Sequence, residues 1–173
     1  MANRIKIATI GAKAKTGNPG TGRPAVEAMI AHWRSRFDQV WPDQPDLVVV
    51  PECCDRYPAH SLEERHTYYR YRGDSIRDFF AHLAREHRCY ITYPAVREMS
   101  DGSWRNSLQM LDRNGDVAGV YDKNFPVITE TTDADILCGA DAPLIECDFG
   151  QVGAAICFDL NFSEIRQRYE KAR

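Results

Sequence analysis

The chain has 173 residues, 43% hydrophobic and 27% charged, which suits one soluble domain with a core of its own. A net charge of -3 gives no reason to expect nucleic acid or a membrane surface as partner. No apolar run approaches the roughly 20 residues of a spanning helix. The opening Met1-Ala-Asn-Arg-Ile-Lys6 has no signal-like apolar region, so the cytoplasm is the expected compartment. Cysteines stand at 53, 54, 89, 138, 147 and 157 with no CxxC pair, so zinc-site spacing is absent and reduced thiols are expected.

Alternation of Ile5 and Ile7 with Lys6 and Ala8 predicts a first strand over residues 4–10. Residues 11–23 are glycine-rich and read as a loop; their GNPGTG lacks the lysine-bearing pattern of a phosphate loop. A helix is expected over 24–40, with Pro24 in its first turn and Val26, Met29, Ile30, Trp33, Phe37 and Val40 on one face. Leu47 to Val50 is a continuous apolar run, as in a strand covered on both sides, and Pro51 ends it with Glu52 at the tip. Residues 55–73 interleave arginine, tyrosine and histidine with Glu63 and Glu64; a loop or irregular helix beside a pocket is expected there, not a nucleic-acid surface.

Asp74 or Ser75 caps a second helix, whose apolar face is Ile76, Phe79, Phe80, Leu83 and His87. Cys89 to Pro94 reads as a strand. Trp104–Leu111 and Val117–Tyr121 form a hairpin across an Asn-Gly turn, leaving Lys123 just beyond a strand end. Residues 124–142 read as a long loop. Leu144–Asp148 and Gln151–Cys157 read as a second hairpin, so that Cys157 ends a buried strand; Ser163 then caps a last helix with Ile165 and Tyr169 on one face. This order implies an α/β fold with a mixed sheet and helices outside it.

A thiol, a carboxylate and an ammonium thus each stand at a predicted strand end. A thiol attacks well only as thiolate, which calls for nearby positive charge or a helix start. Lys123 and the turn after Cys157 are the candidates for that role. The five histidines all precede Cys157 by a long stretch and none sits at a strand tip, which argues against a Cys-His pair and for Glu52 as base.

The fragments LVVVPE, VYDKNF and GAAICFDLNFSEIR, with the Asn106–Asp116 hairpin between the first and second strand ends, resemble the nitrilase superfamily of carbon–nitrogen hydrolases over essentially the whole chain. The resemblance implies a nitrilase-like α-β-β-α sandwich with mixed sheets, one carbon–nitrogen hydrolase domain over 1–173, and a Glu52-Lys123-Cys157 triad. It implies a covalent route for amides, carbamoyl compounds or nitriles: Glu52 deprotonates Cys157, and Lys123 with the Phe158 backbone N–H stabilises the oxyanion. No metal or organic cofactor is expected. Many members add a second glutamate after the lysine; Glu130 is carried over to that place, with Asp133 as the alternative occupant. Asp159, Glu164 and Arg166 match polar positions beyond the cysteine, where helix capping and surface pairing explain them equally well.

By the same resemblance, the substrate pocket draws on residues 55–73 and 124–142, where Tyr57, Tyr68, Tyr69 and nearby arginines suit a polar or carboxylated substrate. Residues 163–173 would serve a homodimer or larger homo-oligomer. Members of the superfamily continue past the cysteine helix, so the C-terminal part of the sandwich is expected to be missing from a chain ending at Arg173, with apolar strands left uncovered. The other readings are a catalytically inactive relative serving as an interaction module, and an acyltransferase in which an amine replaces water.

Overall fold

The computed structural model describes residues 4–11 and 13–172. Five strands form one sheet in the order β1 (Ile7–Thr9), β2 (Leu47–Val49), β3 (Tyr90–Glu98), β4 (Trp104–Leu111) and β5 (Val117–Asp122). The first three run parallel and the next two pair antiparallel, so the sheet is mixed as expected. Parallel neighbours need long crossovers. These are α1 (Arg23–Phe37) between β1 and β2, and α2 (Leu62–Arg72) with α3 (Ser75–His87) between β2 and β3.

The crossovers cover one face of the sheet. Met29, Trp33 and Phe37 of α1 and Ile76, Phe80 and Leu83 of α3 are buried against Val48, Ile91, Tyr93 and Ala95. The periodicity that predicted α1 placed its inward face correctly; Ile30 and Val40 are only partly buried at its margin.

β4 and β5 join at Asn114-Gly115. The Asp112 carboxylate accepts from the Asn114 and Asp116 N–H groups, and Gly115 turns at φ +81°. A Cβ on Gly115 would stand 2.6 Å from the Ala81 carbonyl oxygen, so the turn fits against α3 only with glycine.

On the other face lies a small hairpin, β6 (Ile145–Cys147) and β7 (Gly150–Val152). Its Ile145 packs on Leu47, Tyr90 and Met110, and it approaches Gly119 so closely that a Cβ there would be 2.8 Å from Ile145 Cγ1. At the β1 edge Ile5 and Ile7 remain exposed, at 38% and 52%, as expected for a sheet face not fully covered. Among the described residues no helix is long and apolar enough to cross a membrane.

Four expectations change. Residues 62–72 are a regular helix, started by a reciprocal cap: the Glu64 N–H donates to Ser61 Oγ and the Ser61 N–H to the Glu64 carboxylate. The segment 124–142 contains a short helix, α4 (Ile128–Ala134). The strand expected to run to Cys157 stops at Val152; Gly153–Ile156 has no ladder among the described residues. There the Tyr169 hydroxyl of α5 (Ser163–Lys171) donates to the Ala154 carbonyl at 2.6 Å and accepts its N–H at 3.0 Å, doing for that residue what a neighbouring strand would do. Ser163 is the first helical residue of α5, and Phe162 stands at the cap without a side-chain bond.

Candidate active site

Glu52 stands three residues past the end of β2, after Val50 and Pro51, and the chain turns sharply behind it. Cys53 adopts φ +49°, the Cys54 N–H donates to the Pro94 carbonyl at 3.0 Å, and the Trp33 indole donates to the Cys54 carbonyl at 2.9 Å. Beneath this turn the fully buried Asp55 accepts from Arg72 of α2 and from the Tyr93 hydroxyl of β3, while Arg72 also donates to the Val96 carbonyl at 2.6 Å. The carboxylate at position 52 therefore stands on a braced platform.

Lys123 follows β5 directly. Its N–H continues the ladder to the Asn106 carbonyl at 2.8 Å, and its side chain is 2% exposed. Burying an ammonium is costly unless charge and hydrogen bonds compensate. Here Nζ lies 2.7 Å from Glu52 Oε1 and 2.6 Å from Glu130 Oε2. Asn106, wholly buried in β4, bridges the same carboxylates: its Nδ2 donates to Glu52 Oε1 at 2.7 Å and to Glu130 Oε1 at 2.8 Å. Glu130 also accepts the Val127 N–H at 2.8 Å, which fixes the start of α4.

Cys157 opens a 3-10 turn (Cys157–Asn161) with φ +49°, a left-handed conformation that raises its exposure instead of ending a strand. Asp159 holds this turn. Fully buried, it accepts the Phe125 N–H at 2.8 Å, the Ile156 N–H at 2.9 Å and the Tyr121 hydroxyl at 2.7 Å. Phe158 is the second residue of the turn, where N–H groups are left without an acceptor inside it.

The electrostatics follow from the contacts. Burial pushes the Lys123 pKa down, but hydrogen bonds to Glu130 and Glu52 and their charges outweigh it and leave Lys123 above the usual lysine value. Burial pushes Glu130 up, yet the hydrogen bonds from Lys123, Asn106 and the Val127 N–H leave it below the usual carboxylate value. The Cys157 thiol is raised: partial burial acts first, then the nearby Glu52 carboxylate, with Lys123 pulling weakly the other way. Lys123 thus acts on the thiol in the expected direction, but burial and the Glu52 charge outweigh it.

The structure brings Glu52, Lys123, Glu130 and Cys157 together, with Phe158 beside the last. Of the two candidates for the second glutamate's place, Glu130 is at the site, while Asp133 is exposed and bonded to Thr132. Arg166 pairs with Glu170 on the surface of α5, and Glu164 is exposed. Tyr57 and Tyr68 are fully buried among the helices and are not available to a substrate; Tyr69 lines a small cavity beside Glu130. A groove of about 760 Å³ between the Cys157 turn and α5 is lined by Ala154, Phe162, Ile165 and Tyr169 and includes none of the four.

Sequence reasoning assigned no role to Asn106 and gave Asp159 only as a polar position of the family or a helix cap. Asn106 was within reach: in the hairpin register, Ser107 opposite Asp122 sets Asn106 opposite Lys123, and a buried amide in such a strand needs partners. For Asp159 the local bond from the Ile156 N–H fits the capping reading, while the donors Tyr121 and Phe125 come from a distant segment that local pattern does not show.

Residues 6–172 match the carbon-nitrogen hydrolase family, and the chain belongs to that family. It is similar to a probable nitrilase of Schizosaccharomyces pombe, 31% identical over 87 residues that cover 49% of this chain and 31% of that protein. Its fold is similar to that of a carbon-nitrogen hydrolase from Helicobacter pylori, with TM-score 0.76 and 18% identity over 94% of this chain and 55% of that one. It is also similar to an amidase from Nesterenkonia sp., with TM-score 0.72 and 16% identity over 95% of this chain and 60% of that one. The α/β architecture is therefore nitrilase-like, and the chain spans about a third of the nitrilase's length and somewhat over half of the two solved chains.

Proposed function

We propose that the chain carries the site of a thiol-dependent hydrolase acting on non-peptide carbon–nitrogen bonds of amide, carbamoyl or nitrile type. The observation that carries this reading is the buried Lys123 ammonium held between the Glu52 and Glu130 carboxylates, with the Cys157 thiol near enough to Glu52 to feel its charge. On an amide, Glu52 takes the proton from Cys157 Sγ as sulfur attacks the carbonyl carbon, and the carbonyl electron pair moves to oxygen. Lys123 Nζ and the Phe158 N–H stabilise that oxyanion, each such donor contributing roughly 3–4 kcal/mol. Glu52 then gives its proton to the leaving nitrogen as the C–N bond breaks, releasing ammonia or an amine and leaving a thioester. Water attacks the thioester with Glu52 again as base, the C–S bond breaks, and the acid product and free thiol result.

The raised thiol suits this order, since sulfur gives up its proton to Glu52 only as the new bond forms. Glu130 has no proton to move in this scheme; it holds Lys123 in place. The test is ammonia release from a panel of small amides, carbamoyl compounds and nitriles, with hydroxylamine added to divert the thioester to a hydroxamate. Release that vanishes in Cys157→Ala, with a hydroxamate formed by the unsubstituted chain, supports the reading. Release that survives Cys157→Ala rules it out.

A further inference from the structure

Arg168 and Tyr169 are neighbours on α5, and consecutive helical residues point about 100° apart. Their side chains reach two different segments. Arg168 Nη1 donates to Asn124 Oδ1 at 2.6 Å and to the Ala140 carbonyl at 2.7 Å. The Tyr169 hydroxyl holds both backbone groups of Ala154, and its ring lies so close to Gly153 that a Cβ there would stand 3.0 Å away.

The segment that Arg168 holds is the turn around Lys123. Asn124, 5% exposed, donates from Nδ2 to the Asp122 and Asp141 carbonyls, each at 2.9 Å, and the Gly139 N–H donates to the Lys123 carbonyl at 2.8 Å. The Asn124 oxygen is left for Arg168, which thereby fastens residues 122–124 and 139–141 to α5. The segment that Tyr169 holds leads to Cys157, three residues beyond Ala154. At the start of the helix the Phe162 ring stacks on Phe125 with centroids 3.9 Å apart, so α5 is tied at both ends. Asp159 joins the same two turns from within, and α5 joins them from outside.

We infer that α5 is a clamp that sets the spacing between the Lys123 ammonium and the Cys157 turn, with Arg168 and Tyr169 as its positioning residues. The inference rests on the reaction proposed above for what the spacing serves, the convergence of Lys123 Nζ and the Phe158 N–H on one oxyanion, but not for the tie itself. A donor slightly out of place slows the chemical step and leaves uniform substrate binding largely unchanged.

Two measurements on the full chain test this. Hydrogen exchange, resolved by peptide mass spectrometry, reads the tie without turnover. Tyr169→Phe should speed exchange in the peptide spanning Gly139 as well as in that spanning Ala154, and Arg168→Ala should do the same in reverse. Effects confined to the segment that each residue touches overturn the inference. Steady-state kinetics on propionamide read the function: each substitution should lower kcat about tenfold with KM within about twofold. Arg168→Lys should recover most of kcat, because both bonds of Arg168 leave from one nitrogen and an ammonium can make them. Unchanged kcat, a loss carried by KM, or an Arg168→Lys no better than Arg168→Ala overturns the inference. Arg168 is exposed, so its substitution leaves the packing intact should Tyr169→Phe loosen the fold. If the unsubstituted chain hydrolyses neither propionamide nor any other compound of the panel above, the proposed reaction falls, and exchange alone decides whether α5 is a clamp.

Discussion

The Glu130 carboxylate holds the Lys123 ammonium at 2.6 Å while the same oxygen accepts the Val127 N–H at 2.8 Å. The group that starts α4 is therefore the group that fixes the lysine, and the order of residues 124–142 is coupled to the charge at the site.

Glu130→Gln keeps the shape and removes the charge. One oxygen of the amide can still accept, but its NH2 then faces a donor. Turnover is expected to fall about 100-fold, the scale of a displaced oxyanion donor. Steady-state kinetics on an amide that the chain hydrolyses checks this; an unchanged kcat/KM contradicts the role of Glu130.

Stability should depend on pH in a definite way. Glu130 is held below its usual 4.5, so it binds fewer protons folded than unfolded. Its contribution is present above about pH 4.5 and is lost as pH falls through its lower folded value. Lys123 is held above its usual 10.5, so its contribution is present below about pH 10.5 and is lost as pH rises through its higher folded value. The thermal midpoint, measured across pH for the chain and for Glu130→Gln, should differ on the plateau between these limits and converge in acid. A constant difference down to low pH contradicts the pairing.

Asp159→Asn tests the support of the Cys157 turn. The carboxylate accepts three donors, two of them on one oxygen; an amide must present NH2 to at least one. A loss of about 2–3 kcal/mol is expected from urea unfolding, the cost of leaving buried donors unmet. A loss below about 0.5 kcal/mol, the size of an ordinary surface change, contradicts a structural role for Asp159.

How far the sequence carries the fold can be judged element by element. The run Leu47–Val50, the Asn114-Gly115 hairpin and the apolar faces of α1 and α3 were legible because burial and turn geometry there follow local patterns. Helix α2 was not, because arginine, glutamate and tyrosine mask its periodicity; the Ser61–Glu64 cap was the readable sign. Helix α4, with its β-branched Ile-Thr-Glu-Thr-Thr, has weak propensity and depends on Glu130 for its start. At the site, Glu52, Lys123, Glu130 and Cys157 were named from strand ends and motif resemblance. The bridging of Asn106 and the raised thiol of Cys157 arise from distances between segments, which local pattern does not contain.

The most direct test of a Glu52 that faces the Cys157 thiol is the rate of Cys157 alkylation by iodoacetamide across pH, resolved by peptide mass spectrometry, in the chain and in Glu52→Gln. After burial, the Glu52 charge raises the thiol and Lys123 opposes it, so removing the carboxylate charge should lower the thiol pKa. Alkylation near pH 8 should become several-fold faster in Glu52→Gln while amide turnover is lost, and Cys53, whose burial pushes it up to about 12, should stay slow in both. Cys157 alkylation that is unchanged or slower in Glu52→Gln would mean that the carboxylate does not act on the thiol.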